Sequence, residues 1–313
     1  MPTYPHVLAI LNPTSRRGRN RNRIPAIMDG IRERFPGARI ELTESTGHAT
    51  QLVAELGKEA DLVLACGGDG TVHEVAKGMV HNGLTATMGV LGLGSGNDYA
   101  RALFMPTAWP EALDAIAAGR VVSSDTGRVE WREEGVNRSG FFINALGVGF
   151  DAHTAVLAPR YKGYPLGYTV SILAGLKSWI SGGATIRTGG RDGQVVFNGR
   201  LMFVTIGNAF DSGGGYTVNP GALISDGALD PCIVEDISVM KAISLLPRVR
   251  SGGHVGMKEV TYFRTPTLHI DTDRGLPVHA DGEILSLQAR DLEVSVQPAS
   301  LRVVVAPGAP DPV

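Results

Sequence analysis

The sequence predicts an α/β N-terminal domain with a parallel sheet over residues 1–124, followed by a C-terminal antiparallel β-sandwich over residues 125–298. Two patterns predict this fold. In the first part, short apolar runs alternate with amphipathic segments, which is typical of βαβ units. In the second, short strand-like runs follow one another closely with little helical periodicity. The last such run, LRVVVAP, allows residues 299–313 to return to the first domain.

The elements of the first domain follow in chain order. Strands are expected at HVLAIL, ARIELTE, DLVLAC and TMGVLG, with helices at 24–35, at 49–58 and from Thr71 onward. Each apolar run ends in a loop rich in glycine, asparagine or serine, and open α/β sheets bind ligands at the carboxyl ends of their strands. We therefore expect the functional loops to cluster there. In the second domain, one helical insertion is expected at 161–180.

Composition and charge exclude several classes of protein. The net charge of -2 over 313 residues argues against a dedicated nucleic-acid binder. The two cysteines, Cys66 and Cys232, lie in apolar runs and are interpreted as core residues of a protein from a reducing, cytoplasmic compartment. The N-terminus lacks the pattern of a signal peptide. The apolar stretch Thr169 to Leu176 is shorter than the about 20 residues that span a bilayer, so any membrane contact is expected to be peripheral.

The strongest local motif is GGDGT at 67–71, which follows a predicted strand and opens a predicted helix. Glycines let the backbone approach a polyphosphate, and the amides at the helix N-terminus attract its negative charge. Asp69 would then act through a metal ion or water. The alternative is an ordinary tight turn in which Asp69 and Thr71 cap the helix.

Two further loops have the same context. The segment GLGSGND at 92–98 follows the strand TMGVL, and NPTS at 12–15 follows the first strand. Arginines come directly after the NPTS loop, at positions 16, 17, 19, 21 and 23. These arginines either contact phosphates or anionic lipid or are simply solvated, and the sequence favours neither interpretation.

An ordered series of motifs resembles the diacylglycerol kinase catalytic domain family, and especially its soluble bacterial lipid kinases. A lone GGDGT would be less specific, because NAD kinases and sphingosine kinases are similar there. The series spans most of the chain and comprises NPTS at 12–15, TESTGHA at 43–49, GGDGT at 67–71, GSGND at 94–98, NALGVGFDA at 144–152, GNAFDSGGGYTVNPGALISDGALD at 208–230 and HADGE at 279–283. The resemblance implies an NAD kinase/diacylglycerol kinase-like fold with the active site in an interdomain cleft.

The resemblance also implies site residues. The aspartate of the family's DGE motif is the general base on the acceptor hydroxyl, which corresponds to Asp281 with Glu283 close by. Residues matching the family's nucleotide-phosphate site are Asn12, Thr43, Gly67, Gly68, Asp69, Gly70, Thr71, Ser95, Asn97 and Asp98. At the position of Ser95 the family often has threonine, and at the position of Gly92, three residues earlier, it often has proline. Arg16 likewise stands where glycine is common, which leaves the path of that loop open.

A magnesium site is implied in the same way. The family holds the ion with the aspartate of its DG-L motif and nearby main-chain carbonyls, which match Asp226 and the carbonyls of Leu223 and Ala228. Asp69 and Asp98 resemble the residues that link this region to the nucleotide through water. Magnesium prefers oxygen ligands, so the donor set is chemically reasonable. From spacing alone, a purely structural turn is the favoured interpretation of both Asp226–Gly227 and Asp281–Gly282, and only the family resemblance favours a chemical role.

For the acceptor, we expect the apolar face of the 161–180 segment to guide an acyl chain, with Lys162 and Lys177 near anionic headgroups. The alternative is that the segment packs completely against the sandwich.

The histidines, including His254, His269 and His279, are interpreted as residues that lie at the surface or have their hydrogen bonds satisfied, because none has metal-ligand spacing.

The function expected from this resemblance is an ATP-dependent, magnesium-dependent lipid kinase that phosphorylates a diacylglycerol-like acceptor. The alternatives are an NAD kinase-like enzyme and a noncatalytic nucleotide or lipid sensor. The sensor would lack a catalytic carboxylate, whereas Asp69, Asp98, Asp226 and Asp281 are all present. Expected partners are ATP, a lipid substrate and a peripheral membrane surface, with no nucleic acid; a homodimer is left open.

Overall fold

A computed structural model describes residues 4–18, 20–161, 167–311 and 313 of the chain. The residues form two compact units. The first comprises Met1–Asp125, Ile224–Asp226 and Pro298–Val313, and the second comprises Thr126–Leu223 and Gly227–Gln297. The short piece at 224–226 interrupts the second unit, which the pattern of strands in the sequence does not reveal.

The first unit contains a parallel sheet with helices between its strands. The elements are β1 (Val7–Leu11), α1 (Ile24–Arg34), β2 (Arg39–Leu42), α2 (His48–Leu56), β3 (Leu62–Gly67), α3 (Asp69–His81), β4 (Thr87–Gly92), α4 (Asp98–Ala102) and α5 (Trp109–Ala118). β1 pairs in parallel with β2 and β3, and β3 pairs in parallel with β4. Arg302 and Val303 of the chain's last strand pair in parallel with β4. Because all residues of β1 and β3 are buried, the sheet is apolar on both faces, as helices on both sides require.

The second unit is an antiparallel β structure that carries three of the described helices. Its elements are the end of β5 (Arg120–Glu133), β6 (Val136–Phe142), β7 (Ala145–Gly149), α6 (Phe150–Leu157), α7 (Gly167–Ser178), β8 (Gly182–Thr188), β9 (Gln194–Gly207), β10 (Asp230–Glu235), α8 (Val239–Arg250), β11 (Val260–Tyr262), β12 (Thr267–Thr272), β13 (Leu276–Ala280) and most of β14 (Glu283–Val305). β9, β7, β13 and β14 are successive antiparallel neighbours. β8 pairs with β9 and β12. Apolar residues from these strands, such as Leu146, Val204 and Val278, form one buried core.

The expectation of a single helical insertion in this unit is wrong. Helix α7 lies within the predicted segment 161–180, but α6 and α8 are additional. α6 begins directly after β7, so no turn residues separate strand from helix in the sequence. α8 begins after Ser238, whose hydroxyl caps it by accepting a hydrogen bond from the Lys241 N–H at 3.4 Å, and it contains Pro247. These features obscure the periodicity of both helices.

The cysteines and the membrane expectation can be compared directly with the structure. Cys66 and Cys232 are both buried, and burial raises the pKa of each thiol to about 12. They are therefore inert core residues, as the sequence predicts. Within the described part of the chain, no helix is both long enough and apolar enough to cross a membrane.

Candidate active site

Three loops of the first unit meet at the carboxyl ends of β1, β3 and β4. The Asn12 side-chain amide donates a hydrogen bond to Thr71 Oγ1 at 3.0 Å, which connects the loop after β1 with the loop after β3. The Leu93 N–H donates to the Gly67 carbonyl at 2.6 Å, which connects the loops after β3 and β4. The sequence motifs NPTS, GGDGT and GSGND therefore lie side by side.

The Asp69 carboxylate holds two of these loops together. It accepts hydrogen bonds from the main-chain N–H of Asn97 at 2.8 Å and of Asp98 at 2.7 Å. Burial raises the pKa of Asp69, while these amides and the nearby Arg101 guanidinium oppose that rise by stabilising the carboxylate. Asp69 thus positions the GSGND loop, and its contact with a metal-bound water stays a prediction.

Two glycines permit this close approach of the loops. A Cβ atom on Gly94 would lie 2.5 Å from the Gly68 Cα, which is backbone and cannot rotate away. A Cβ atom on Gly96 would lie 2.6 Å from Asp69 Oδ2. At both positions a side chain would force the loops apart.

Helix α3 begins at Asp69, two residues before the predicted start. Main-chain N–H groups in the first turn of a helix have no partner within that helix and carry the positive end of its dipole. Residues 69–71 therefore lie where a phosphate would be stabilised. A Cβ atom built on Gly70 meets no atom within 4 Å, so there is open space beside this turn.

The remaining residues of the predicted nucleotide site differ in their exposure. Thr43 is buried at the end of β2, and its N–H donates to the Leu11 carbonyl at 3.0 Å. Ser95 is exposed in the loop after β4. Asp98 is buried and forms an ion pair with Arg101. All three belong to the first unit, and their roles in binding nucleotide stay predictions.

Arg16 and Asn97 shape the loops that follow β1 and β4. Both have left-handed backbone conformations, with φ of 50° for Arg16 and 56° for Asn97. Glycine adopts this conformation at the lowest cost, which accounts for its frequency at the position of Arg16. Arg16 compensates by donating from Nε to the Gly94 carbonyl at 3.0 Å, and Asn97 Oδ1 accepts from the Gly94 N–H at 2.7 Å.

The predicted magnesium ligands lie on a turn whose Gly227 has a φ of 73°. Asp226 belongs to the first unit, whereas Leu223 and Ala228 belong to the second. No group of three His, Cys, Asp or Glu side chains that could hold a metal occurs among the described residues. A carboxylate with two main-chain carbonyls nevertheless fits a hard cation that retains waters and binds substrate phosphates. The donor chemistry is therefore compatible with magnesium.

Asp281 lies in the tight turn that connects β13 and β14. Asp281 and Gly282 have φ of 49° and 87°, and Ala280 pairs with Glu283 on either side. Two consecutive residues with positive φ in a two-residue hairpin are characteristic of a type I′ turn, for which the Asp-Gly dipeptide is favoured. The turn interpretation of this dipeptide is thus observed, and it does not exclude a chemical role.

The Asp281 carboxylate also organises the loop before β7. Its Oδ1 accepts hydrogen bonds from the N–H groups of Asn144 and Ala145, and its Oδ2 accepts from the N–H of Ile143, each at 2.9 Å. Asp281 therefore has a clear structural function, and its assignment as the general base stays a prediction.

A buried histidine connects this turn with a second carboxylate, Asp151, and sequence reasoning assigned no role to either residue. His279 Nε2 lies 3.0 Å from Asp151 Oδ2, and His279 Nδ1 accepts a hydrogen bond from the Gly282 N–H at 3.2 Å. Burial disfavours the charged imidazole, but the Asp151 carboxylate together with the charge of Asp281 outweighs that effect and raises the pKa of His279. The signal for the pair was present in the sequence only as the motifs NALGVGFDA and HADGE, which are distant along the chain.

Asp151 faces a cavity of about 90 Å³ within the second unit. The walls of the cavity are mainly apolar and come from α6, α7, α8 and the neighbouring strands. Ile172 and Leu176 of α7 are buried and line it, so the apolar face of the predicted insertion points inward. Lys162 lies outside the described residues. Polar groups in the wall are few and include Thr154, Thr205 and His254, whose pKa is lowered by burial.

Comparisons with known proteins agree with this architecture. Residues 6–129 match the model of the diacylglycerol kinase catalytic domain, and residues 144–305 match that of the YegS C-terminal NAD kinase beta sandwich-like domain. A Mycobacterium tuberculosis protein named diacylglycerol kinase is 30% identical over 85% of this chain and 84% of its own length. A Pseudomonas aeruginosa protein named "Probable lipid kinase YegS-like" is 30% identical over 87% of this chain and 85% of its own.

Solved structures support the fold. A Bacillus anthracis structure described as a diacylglycerol kinase covers 100% of both chains with a TM-score of 0.74 at 21% identity. A yeast NADH kinase covers 98% of this chain and 84% of its own with a TM-score of 0.54 at 10% identity, a likeness in fold alone. Both family models match in chain order and together cover most of the sequence. The chain therefore belongs to the diacylglycerol kinase family of lipid kinases, with a catalytic domain followed by a YegS-type β-sandwich domain.

Proposed function

We propose that this protein transfers the terminal phosphate of ATP to the hydroxyl group of a diacylglycerol-like lipid. The observation that carries the proposal is the apolar cavity of the second unit, which has a carboxylate, Asp151, in its wall. Such a cavity suits an acceptor with an apolar body and a hydroxyl, and it does not suit a dinucleotide with its charged phosphates. Relatives named diacylglycerol kinase agree with an acceptor of this type.

On the donor side, the loops of the first unit provide the phosphate site. The N–H groups of Asp69, Gly70 and Thr71 in the first turn of α3 would stabilise the negative charge of the polyphosphate, and Gly67 and Gly68 connect this turn to β3. Asn12, Asn97 and Asp98 form hydrogen bonds with residues of that turn. Thr43 and Ser95 are assigned to the same site by the family resemblance. Asp226, with the carbonyls of Leu223 and Ala228, would hold magnesium, which when bound neutralises charge on the phosphates.

On the acceptor side, Asp281 takes the proton from the lipid hydroxyl, and Glu283 at the start of β14 lies next to the same turn. Part of the acyl chain enters the cavity bounded by α7 and α8, where its contacts with Ile172 and Leu176 replace contacts with water. Phosphoryl transfer depends mainly on positioning and charge stabilisation, so holding the acceptor firmly is a large part of catalysis.

Incubation of the protein with labelled ATP and a total lipid extract tests the proposal. We expect label in one lipid product whose parent has a free hydroxyl. A parallel reaction with NAD as the acceptor serves as the control for the NAD kinase alternative. Label in NADP with none in lipid would overturn the proposal.

Filling the cavity should weaken the binding of long acyl chains. Ala242 of α8 is buried and lines the cavity, and Ala242→Phe would place an aromatic ring in it. We expect the KM for a long-chain diacylglycerol to rise about 10-fold, because about two buried methylene groups are worth that factor. The KM for ATP and for a very short-chain acceptor should change little. Unchanged long-chain kinetics in a folded variant would contradict the assigned acyl site.

A peripheral membrane contact is proposed for the exposed apolar residues of α8. Met240 and Ile243 are 76% and 38% exposed, and Arg248 and Arg250 follow on the same helix. We expect the double substitution Met240→Asp and Ile243→Asp to reduce binding to anionic vesicles at least about 10-fold in a sedimentation assay. Val195→Asp on β9, also an exposed apolar position, is the matched control. Equal effects of both changes would exclude α8 as the specific contact.

A further inference from the structure

His279 lies at the centre of a hydrogen-bonded unit that joins the cavity wall to the Asp281 turn. The His279 residue is 5% exposed, and both of its ring nitrogens are engaged. Because the Gly282 N–H donates to Nδ1, the ring proton resides on Nε2 and is donated to Asp151. The ring therefore has one defined orientation, with a different partner at each end.

The surrounding strands are built to accommodate this contact. A Cβ atom on Gly147 of β7 would lie 2.3 Å from both Asp151 Oδ2 and His279 Nε2. Thr205 of β9 donates a second hydrogen bond to Asp151 Oδ2 at 3.3 Å. Gly147 is the strand neighbour of both His279 and Thr205, so three adjacent strands converge on one carboxylate oxygen.

Asp151 is the one carboxylate among the described residues that line the apolar cavity. Its side chain is 18% exposed, so it is accessible but not freely solvated. A carboxylate in such surroundings is stable only when donors hold it, and without them it would draw water into the apolar cavity. His279 and Thr205 supply two of those donors.

We propose that His279 is a positioning residue for the lipid acceptor. Through Nε2 it holds the Asp151 carboxylate in the wall of the acyl cavity, and through Nδ1 it fixes the Asp281–Gly282 turn, whose carboxylate takes the proton of the acceptor hydroxyl. One side chain thereby sets acceptor binding and the placement of Asp281 together. This inference rests on the lipid kinase function proposed above and assigns a role that the GGDGT and DGE motifs do not contain.

Two substitutions separate the two contacts. In His279→Gln, the side-chain amide nitrogen can take the place of Nε2 and donate to Asp151, but the acceptor for Gly282 is lost. In His279→Asn, the side-chain oxygen can take the place of Nδ1 and accept from Gly282, but the side chain is too short to reach Asp151. We expect His279→Asn to raise the KM for diacylglycerol about 10-fold, as befits a lost hydrogen bond to a charged group. We expect His279→Gln to lower kcat with an acceptor KM within about twofold of the natural protein.

His269→Gln is the matched control, because His269 is also buried and its Nδ1 lies 3.0 Å from a carboxylate oxygen of Glu293, away from the cavity lining. It should leave both KM values unchanged.

Binding of a short-chain diacylglycerol without ATP, measured by calorimetry, tests the inference independently of turnover. A protein that binds this lipid but transfers no phosphate would refute the proposed function alone. If His279→Asn binds it as well as the natural protein, or if both His279 variants lose kcat and both KM values in parallel with their melting temperature, the positioning role is wrong.

Discussion

Asp281→Asn is expected to lower kcat for lipid phosphorylation about 100- to 10,000-fold, the usual contribution of a general base. The amide has no basic oxygen that can take a proton from the acceptor hydroxyl. It also presents an NH₂ group to a loop in which the N–H groups of Ile143, Asn144 and Ala145 all donate to the carboxylate. Both effects act in the second unit, so nucleotide binding by the first unit should persist.

Steady-state kinetics with ATP and diacylglycerol measure this prediction, and calorimetric titration with ATP measures the retained binding. Asp271→Asn is the control for the loss of one negative charge, because Asp271 is an exposed residue of β12 in the same unit. Its turnover should match that of the natural protein. Full turnover by Asp281→Asn would show that another group accepts the proton, and the Asp151–His279 pair would then be the first to test.

The first unit follows closely from local sequence signals. Each strand of its parallel sheet is a short apolar run, and each ends in a glycine-rich or polar loop. Because parallel strands carry their carboxyl ends to one edge, the proximity of Asn12, Gly67 and Gly94 can be predicted without long-range information. The structural function of Asp69 could not be predicted in this way. Its hydrogen-bond partners are the main-chain N–H groups of Asn97 and Asp98, and a main-chain N–H is the same whatever the side chain of its residue.

The site residues of the second unit were harder to predict from the sequence because their important contacts are non-local. Asp151 and His279 are 128 positions apart in the chain and meet only because β7 pairs with β13. Neither residue has the spacing of a metal site or a catalytic triad. The cavity likewise requires α8, a helix that the pattern of strands conceals. The inward direction of Ile172 is a property of packing, which hydrophobicity alone cannot distinguish from a membrane-facing surface.

Gly94→Ala is expected to abolish most nucleotide binding, although it adds a single methyl group. The new Cβ atom would lie 2.5 Å from the Gly68 Cα and 2.9 Å from Asn97 Oδ1. Overpacking of this kind costs about 1–3 kcal/mol even where side chains can adjust, and here one of the opposing atoms is backbone. The loop after β4 should therefore move away from the first turn of α3. We expect the affinity for ATP to fall at least about 10-fold, with a lower melting temperature.

Gly308→Ala is the matched control, because a Cβ atom at that position meets no atom within 4 Å. Titration calorimetry with ATP and a thermal unfolding scan on both variants provide the comparison. Because the acceptor cavity belongs entirely to the second unit, Gly94→Ala should still bind a short-chain diacylglycerol. Loss of ATP affinity without loss of lipid affinity would assign the donor site to the loops around Gly68 and Gly94, whereas an unchanged ATP affinity would mean that the nucleotide phosphates bind elsewhere.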